Sequence, residues 1–368
     1  MTAKIGVGII GANPDRGWAA SAHIPALKAL PQYEIRALST TQADSARRAG
    51  EKFGVGWTFD NHEALVRHAG VDLGVVTVRV PMHSELVTAA LQAGKHVYCE
   101  WPFGNGLAET AELAVLAEAK GVRGFVGLQA RFSPAIQYVR QLVADGYVGR
   151  VLSTTLVGSG MAWGRVSSGA DAYVNDRRNG ATLLTIPLGH TIDAVCGVLG
   201  EFDSLSAVIA NNVTEAMVLE TQTRVAKSAE DQVLIAGTLQ SGAPISVHYR
   251  GGRSRGTNFH WEINGSEGDL LLTGPGGHLQ FMEPTVRGGR ADDKGLSELP
   301  VPAEYRWAPA AAPVGPPLNV AQAYMRLAGD LQHRTQNVAT FDHALKRHRM
   351  LEAVIAAAQS RQRVSIPC

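Results

Sequence analysis

The stretch Ile5-Gly-Val-Gly-Ile-Ile10, followed by Gly11-Ala-Asn-Pro-Asp-Arg-Gly-Trp18, decides the fold of this chain. The first six residues form a short, β-branched apolar run, which predicts a buried strand. The next eight predict a turn, and a helical pattern then runs to about Leu30, with Pro25 opening its regular part. A second strand is predicted from Glu34 to Ser39. Strand, turn, helix and strand within about forty residues form a βαβ unit, the usual cradle for a dinucleotide.

The literal G-x-G-x-x-G match at Gly6, Gly8 and Gly11 lies mostly inside the predicted strand. Fingerprint glycines belong in the turn, where the backbone approaches the pyrophosphate and the next helix offers its N–H groups. A register centred on the turn begins at Gly11, puts Asn13 at the second glycine position and lengthens the loop to Gly17. Asparagine tolerates a positive φ better than most residues. The turn by itself is equally consistent with a plain strand–helix connection.

The end of the second strand indicates which dinucleotide binds. NAD enzymes usually place Asp or Glu there, where it binds the ribose 2′-hydroxyl. This chain has Ser39-Thr-Thr41, with no carboxylate before Asp44 and with Arg47 and Arg48 further on. Hydroxyl and guanidinium groups suit a 2′-phosphate, so NADP is predicted in preference to NAD. The same residues would also serve as turn material and as a solvated helix face.

Length and composition restrict the class of protein. A chain of 368 residues predicts two domains, each with its own core. The net charge of +1, without a basic run, gives no sign of nucleic acid or an anionic membrane surface as a ligand. No apolar run approaches the length of a membrane span, and we expect no signal peptide because the first strand begins at once. Cys99, Cys196 and Cys368 are too few and too scattered for a disulfide framework or a zinc ribbon, so a reducing cytoplasm is expected. No cluster of His, Cys and carboxylate residues has the spacing of metal ligands, so no metal site is expected.

Strands and helices continue to alternate up to about residue 130, which predicts a parallel, doubly wound α/β sheet. From about Arg150 the sequence becomes rich in strands joined by Gly/Ser turns, which indicates an open, largely antiparallel sheet. The segment 300–317 predicts no regular element, and two helices are expected at 320–333 and 341–360. On the last helix His343, Lys346, Arg347 and His348 are expected to form a basic surface.

Five motifs extend this picture over essentially the whole chain. They are Gly11-Ala-Asn-Pro-Asp-Arg-Gly-Trp18, Val80-Pro-Met-His83, Ala93-Gly-Lys-His-Val-Tyr-Cys-Glu-Trp-Pro102, Arg131-Phe-Ser-Pro134 and the segment from Gly180 to Asp193. The chain thereby resembles the Gfo/Idh/MocA oxidoreductases and, within them, the Gal80-like branch. The resemblance implies an N-terminal Rossmann domain at residues 1–130 and a C-terminal α/β domain at 131–368, with a large, mostly antiparallel open sheet and terminal helices packing back toward the first domain. It also implies a homodimer or homotetramer formed through the C-terminal sheet.

The same resemblance implies a cofactor site and a substrate site. The cofactor-binding residues would be Gly11, Asn13, Arg16, Gly17, Trp18, Ser39, Thr40, Thr41, Val80, His83, Glu100, Trp101 and Pro102. The substrate-binding residues would be Trp101, Arg131, Arg177, Thr185 and His190. His83 would face the cofactor or stand at a helix start, and Glu100 would support the nicotinamide end through backbone or ribose contacts.

Two departures from the family pattern bear on catalysis. Most catalytic members have Glu-Lys-Pro at the end of the fifth strand, whereas this chain has Glu100-Trp-Pro102. They also have Asp four residues before a helical His, whereas Ile186 stands there before His190, and Thr185 is the nearest polar residue. A lysine ammonium can protonate a developing alkoxide, but a tryptophan indole can only stack or donate a hydrogen bond.

His190 remains as the candidate acid or base, because the ordinary pKa of histidine lies near working pH. Asp193 falls on the same helical face and would orient it, and Tyr173 precedes the helix at the expected substrate mouth or in a solvated loop. A core histidine satisfied by backbone is the alternative. The chain is thus predicted to be an NADP(H)-dependent oxidoreductase acting on a small sugar-like or cyclic carbonyl or carbinol compound. The alternatives are a catalytically silent, NADP-binding regulator that acts through a protein partner, and an enzyme that uses the cofactor without net redox change.

Overall fold

The computed structural model describes residues 3–366 and divides the chain into two units. The first unit comprises the residues up to Gln129 together with Arg306–His348, and the second comprises Ala130–Tyr305 and the residues from Arg349 on. The first boundary lies next to the expected one at residue 130. Residues 306–348, which the sequence analysis placed in the second domain, belong to the first unit. Cys368 lies outside the described residues.

The N-terminal part of the first unit alternates strands and helices, as expected. Its strands are β1 Ile5–Ile10, β2 Tyr33–Ser39, β3 Trp57–Phe59, β4 Leu73–Val76, β5 His96–Glu100 and β6 Gly124–Gly127. Its helices are α1 Ile24–Lys28, α2 Ala43–Phe53, α3 His62–Arg67, α4 His83–Gln92 and α5 Leu107–Lys120. Local chemistry sets the ends: the Asn61 side chain accepts a hydrogen bond from the Ala64 amide at 2.8 Å, and Gly54 and Gly121 end α2 and α5 in the left-handed conformation.

These strands form one six-stranded sheet in the order β3-β2-β1-β4-β5-β6, and every pair in it is parallel. The predicted doubly wound parallel sheet is confirmed. Because the strand order reverses between β1 and β4, the crevice at their carboxyl ends is where such sheets bind ligands. The turn after β1 and the loop after β5 both begin at this edge.

The second unit contains α6 Pro134–Ala144, β7 Val151–Gly160, β8 Val166–Ser167, α7 Gly189–Leu199, β9 Phe202–Ala210, β10 Glu215–Val218, β11 Thr223–Ala226, β12 Gln232–Leu239, β13 Pro244–Gly251, β14 Phe259–Gly265, β15 Gly268–Gly274, β16 Thr285–Arg290 and β17 Ser297–Glu298. Three further elements close the chain: α8 Pro316–His333, α9 Phe341–Ser360 and β18 Val364–Ser365. Of these, α8 lies in the first unit, β18 lies in the second, and α9 begins in the first and ends in the second.

Nine strands of the second unit form a single sheet in the order β17-β16-β15-β14-β7-β13-β12-β9-β18. All its pairs are antiparallel except β13 with β7, so the predicted large and mostly antiparallel sheet is confirmed. A small sheet in the order β11-β10-β8 was not predicted, because its strands are only two to four residues long.

The two faces of the large sheet differ in burial. One row across the strands, Ile209, Val233, Tyr249, Gly158 and Phe259, is largely buried. Gly158 is required in this row because a Cβ there would lie 2.1 Å from the Tyr249 ring. The adjacent row points to the opposite face, where the directly paired Val208 and Leu234 are 58% and 39% exposed.

One helical stretch, Arg177–Leu199, is long and apolar enough by length and composition to cross a membrane, with a mean hydropathy of 1.4. The sequence analysis expected no apolar run of this length. Short helical turns at 177–179 and 184–188 precede α7, which lengthens the helical stretch. Because 72% of the apolar 18-residue window in this stretch is buried, the stretch has the burial of a core helix.

Candidate functional site

The turn after β1 is tied to the end of β2. The amides of Gly11 and Ala12 both donate to the Ser39 carbonyl, each at 3.0 Å. The Asn13 side-chain oxygen accepts hydrogen bonds from the amides of Asp15 and Arg16, at 2.9 and 3.3 Å. These contacts hold the turn open at the edge of the sheet where β1 and β4 end.

The glycines of this region fall into two groups. A Cβ at Gly6 would lie 1.9 Å from the Gly70 carbonyl oxygen, and one at Gly8 would lie 2.8 Å from Leu65, so both serve strand packing. Gly11 and Gly17 instead have φ of +94° and +97°, which L side chains rarely adopt. A Cβ at Gly17 would meet no atom within 4 Å among the described residues, so the backbone there is open to a ligand. This distribution favours the register that places the fingerprint in the turn.

The side chains at and after the tip of β2 are more buried or more engaged in local contacts than the sequence indicated. Ser39 is 1% exposed, and the Thr40 hydroxyl donates to the Gln42 carbonyl and lies 2.5 Å from Ser45 Oγ. The Arg47 guanidinium lies between Asp44 and Glu51 on the surface of α2. Arg48 forms an ion pair with Asp15 at 2.6 Å, which connects α2 to the turn after β1. Thr41 is exposed.

At the end of β5 the Glu100 carboxylate is held by two side chains. Its Oε1 lies 2.9 Å from His23 Nε2, and its Oε2 accepts from Gln129 Nε2 at 3.0 Å. The other ring nitrogen of His23 lies 2.8 Å from the Tyr324 hydroxyl, and His23 and Tyr324 are fully buried. The Glu100 side chain is therefore engaged within the first unit, and its backbone remains for the expected cofactor contact. The sequence analysis missed His23, Gln129 and Tyr324.

His83 stands at the start of α4, one of the two positions expected for it. The other expectation, a ring facing the cofactor, stays a prediction. The side chain is fully buried, with Nδ1 2.8 Å from the Pro102 carbonyl oxygen and Nε2 3.0 Å from that of Val78. Burial lowers the pKa of His83 despite these carbonyl contacts. The ring thus connects the loop after β4 to the loop after β5.

Trp101 is 4% exposed and is joined to Pro102 by a cis peptide bond. Its ring centroid lies 4.6 Å from that of His348 on α9. The expected basic surface on this helix is therefore wrong in part, because Arg347 and His348 are buried and only Lys346 of the four is exposed. Burial lowers the pKa of His348 to about 4, so the imidazole beside Trp101 is uncharged at neutral pH.

In the second unit His190 and Asp193 lie on α7, and both are buried. Asp193 Oδ2 lies 3.2 Å from Arg131 Nε. The carboxylate that was expected to orient His190 thus forms an ion pair with Arg131. Arg131 was itself expected to bind substrate. His278, which follows β15, was missed by the sequence analysis. Burial, and to a lesser extent the neighbouring His190, lower the pKa of His278 to about 3.

The remaining residues expected near the substrate lie in the segment that leads into α7. Thr185 Oγ1 donates to the Gly180 carbonyl at 2.7 Å and accepts from the Thr182 amide at 2.8 Å, so it holds the start of the helical stretch. Tyr173 is half-buried in a short turn, and Arg177 is exposed. Within residues 3–366 no three His, Cys, Asp or Glu side chains are grouped to hold a metal ion.

Comparison with known families follows this division of the chain. The family described as "Oxidoreductase family, NAD-binding Rossmann fold" matches residues 5–128, and "Gal80p, C-terminal domain" matches residues 134–274. The chain belongs to the Gfo/Idh/MocA oxidoreductase family, in its Gal80-like branch. The six-stranded sheet of the first unit is accordingly a Rossmann fold for a nicotinamide dinucleotide.

Relatives of both functional kinds are similar to the chain. The dehydrogenase aclE of Aspergillus oryzae is 29% identical over 375 residues, which cover 98% of each chain. The galactose/lactose metabolism regulatory protein GAL80 of Saccharomyces cerevisiae is 28% identical over 79% of this chain and 72% of its own length.

Solved structures confirm the fold over almost the whole chain. A super-repressor mutant of Gal80p from Saccharomyces cerevisiae superposes with a TM-score of 0.89 at 24% identity, covering 99% of this chain and 98% of that one. Levoglucosan dehydrogenase, in complex with NADH and levoglucosan, gives a TM-score of 0.85 at 19% identity, with both chains fully covered at 100%.

The turn geometry generates a test of the cofactor register. Gly11→Val should abolish dinucleotide binding with the fold intact, because a Cβ at Gly11 would lie 2.6 Å from Val78 Cγ1 and the residue has a positive φ. Calorimetric titration with NADPH, alongside circular dichroism, measures binding and folding separately.

Two variants control for effects on stability. Gly8→Ala lies inside β1 and should cost about 1–3 kcal/mol of stability through overpacking, with unchanged affinity. Gly54→Val introduces strain at another positive φ, at the end of α2, and should also leave affinity unchanged. A folded Gly11→Val protein with the affinity of the wild type would show that the register is wrong.

Proposed function

We propose that this chain is an NADP(H)-dependent oxidoreductase that transfers hydride to or from a small sugar-like or cyclic carbonyl or carbinol compound. The observation that carries the proposal is the Gly11–Gly17 turn at the reversal point of a Rossmann sheet, in a chain that covers a dehydrogenase relative end to end. The levoglucosan dehydrogenase neighbour, bound to NADH and its sugar, supports the substrate class.

The turn after β1 and the tip of β2 would hold the dinucleotide. A pyrophosphate needs close backbone approach, and the open backbone at Gly17 together with the positive φ of Gly11 fits that need. When bound, the dinucleotide supplies or accepts the hydride. The buried indole of Trp101 stands at the position of the family lysine. Its ring face would form one wall of the pocket for the nicotinamide.

The preference for NADP rests on charge. Asp or Glu at the tip of β2 would repel a 2′-phosphate, and Ser39, Thr40 and Thr41 carry no negative charge. Arg48 is paired with Asp15, but both side chains are half-exposed, at 46% and 60%. Exposed ion pairs contribute about 1 kcal/mol or less, so a phosphate would recruit Arg48 at small cost.

Arg48→Ala should weaken NADPH binding by about tenfold, because a charge-assisted hydrogen bond to the 2′-phosphate is lost, and it should leave NADH binding unchanged. Calorimetric titration of both dinucleotides gives the ratio. Arg36→Ala is a matched control, since Arg36 is also 46% exposed and is paired with Glu34. Equal affinity of the wild type for the two dinucleotides, or a preference for NADH, would contradict the assignment.

The proton transfer is assigned to His190. Reduction of a carbonyl builds negative charge on its oxygen, so a positioned proton donor lowers the barrier. Trp101 cannot serve as that donor, and Ile186 stands where the family has a carboxylate. Asp193, held by Arg131, would keep α7 and its imidazole in one orientation.

His190→Ala should lower turnover by about 10² to 10⁴, the usual contribution of a positioned acid or base, with little change in NADPH affinity. The measurement is NADPH absorbance with a panel of sugars and cyclic polyols that includes levoglucosan. His260→Ala is the control, because this half-buried histidine lies on β14 beside Glu262. Turnover that survived His190→Ala would defeat the assigned mechanism without defeating the function.

A regulator of the Gal80 kind is the second candidate function. Loss of both the lysine and the aspartate, together with the uncharged His348 beside Trp101, favours it. A regulator would bind the dinucleotide, turn over no compound in the panel and act through a protein partner. The same NADPH assay on the unmodified protein therefore separates the two functions.

A second copy of the chain is the proposed partner, bound through the open face of the large sheet as a homodimer or homotetramer. The paired Val208 and Leu234 leave apolar side chains exposed on β9 and β12. Apolar residues on an open sheet face are typical of such interfaces.

Leu234→Glu should convert the oligomer to a monomer, because it places a charge inside the proposed contact. Light scattering after gel filtration measures the mass in solution. Val314→Glu, at a site 86% exposed in the first unit, should leave the oligomer intact. A wild-type protein that is monomeric at micromolar concentration would refute the interface.

A further inference from the structure

His278 is buried in the second unit with a ring nitrogen that has no partner. The residue is 6% exposed, and Nε2 makes no hydrogen bond within the part of the chain that the structure describes. Its other nitrogen, Nδ1, lies 3.4 Å from Gln280 Nε2. A buried polar atom without a partner is costly, so natural proteins usually satisfy it with a ligand, a water or another residue.

The ring is held in place by stacking. Trp163 lies 5.4 Å from it at an interplanar angle of 29°, and Phe281 lies 4.8 Å from it at 20°. Trp163 is fixed in turn, because its Nε1 donates to the Ala181 carbonyl at 3.0 Å. Two aromatic rings therefore hold the imidazole in place, in addition to the contact of its Nδ1 with Gln280.

The backbone next to His278 is anchored to the helix that carries His190. The Tyr249 hydroxyl donates to the Gly277 carbonyl at 3.0 Å and lies 2.6 Å from the Thr191 hydroxyl. No side chain fits at Gly277, since a Cβ there would lie 2.0 Å from the Ser159 carbonyl oxygen. One buried phenol thus connects the residue before His278 to the residue after His190.

The charge state of His278 limits what it can bind. Burial and the neighbouring His190 keep His278 uncharged at neutral pH. An uncharged imidazole nitrogen either donates or accepts one hydrogen bond, and a hydroxyl group can do both. An anionic group would gain little from such a nitrogen. A hydroxyl group of an uncharged compound fits this nitrogen. Because His190 is assigned to the reacting carbonyl or carbinol, a substrate that contacts both histidines carries at least one further hydroxyl group.

We propose that His278 Nε2 binds a hydroxyl group of an uncharged, polyhydroxylated substrate, next to the group that His190 serves. The proposal rests on the oxidoreductase function above. It names a hydroxyl group as the feature of the substrate that the second unit recognises. His278 is a binding residue in this assignment, and His190 retains the proton transfer.

The test is an NMR titration of protein carrying ¹⁵N-labelled histidine, with the His278 ring signal assigned by its loss in His278→Phe. Levoglucosan, myo-inositol and trans-1,2-cyclohexanediol are the uncharged probes, and sodium D-glucuronate is the anionic one. At least one uncharged probe should shift the Nε2 signal saturably, and the anion should shift it less. If no uncharged probe moves the signal, the proposal is overturned.

Calorimetry with the best uncharged probe gives a second measure. His278→Phe keeps the stacking and should weaken binding about tenfold, the effect of one hydrogen bond, while His260→Phe should leave it unchanged. His278→Gln, which retains a polar group, should recover part of the affinity and serves if the phenylalanine variant fails to fold. Wild-type affinity in a folded His278→Phe protein would overturn the proposal.

Failure of this proposal and failure of the proposed function give different results. A KM for the substrate that is unaffected by His278→Phe would overturn the role of His278 and leave the oxidoreductase assignment in place. Absence of turnover with a shifted His278 signal would remove the enzyme assignment and support the polyol-binding nitrogen.

Discussion

Two hydrogen bonds, from the amides of Gly11 and Ala12 to the carbonyl of Ser39, hold the turn after β1 against the end of β2. The first unit depends on this contact, because it fixes the stretch where glycine backbone and the tip of β2 meet at the reversal point of the sheet. Asn13 fixes the rest of the turn through its side chain, and Arg48 connects it to α2. The features that decide which dinucleotide binds are thus supported from a few residues.

Buried imidazoles occur in both units. His23 and His83 each have both ring nitrogens within hydrogen-bond distance of an oxygen, and they connect segments of the first unit. His278 and His348 instead have an Nε2 with no hydrogen-bond partner within residues 3–366. Burial favours the uncharged form in His83, His278 and His348. Rings with satisfied nitrogens are structural, and a ring with an unsatisfied one is a candidate for binding a ligand.

The departures from the family pattern gain a physical context in the structure. Trp101 is buried and packed against an uncharged histidine, so the side chain at the position of the family lysine is an uncharged indole. Asp193 retains a carboxylate on α7, but it shares its charge with Arg131. Any proton transfer in this chain therefore involves fewer charged groups than in the usual family site. For this reason both an enzyme and a regulator are considered for the same fold.

The sequence by itself determined the order of strands and helices, the doubly wound sheet and the placement of Gly11 and Gly17 in the turn, because these follow from short-range periodicity and from the backbone needs of glycine. Only the tertiary structure decided which polar side chains meet. Glu100 and His23 are separated by 77 residues, and His23 and Tyr324 by 301, and no local pattern encodes such pairs. Arg347 and His348 look like surface residues in the sequence, yet α9 buries them, since the exposed side of a helix depends on what packs against it. His278 gave no sequence signal, because its position beside His190 arises from the Tyr249 contact between a loop and a helix.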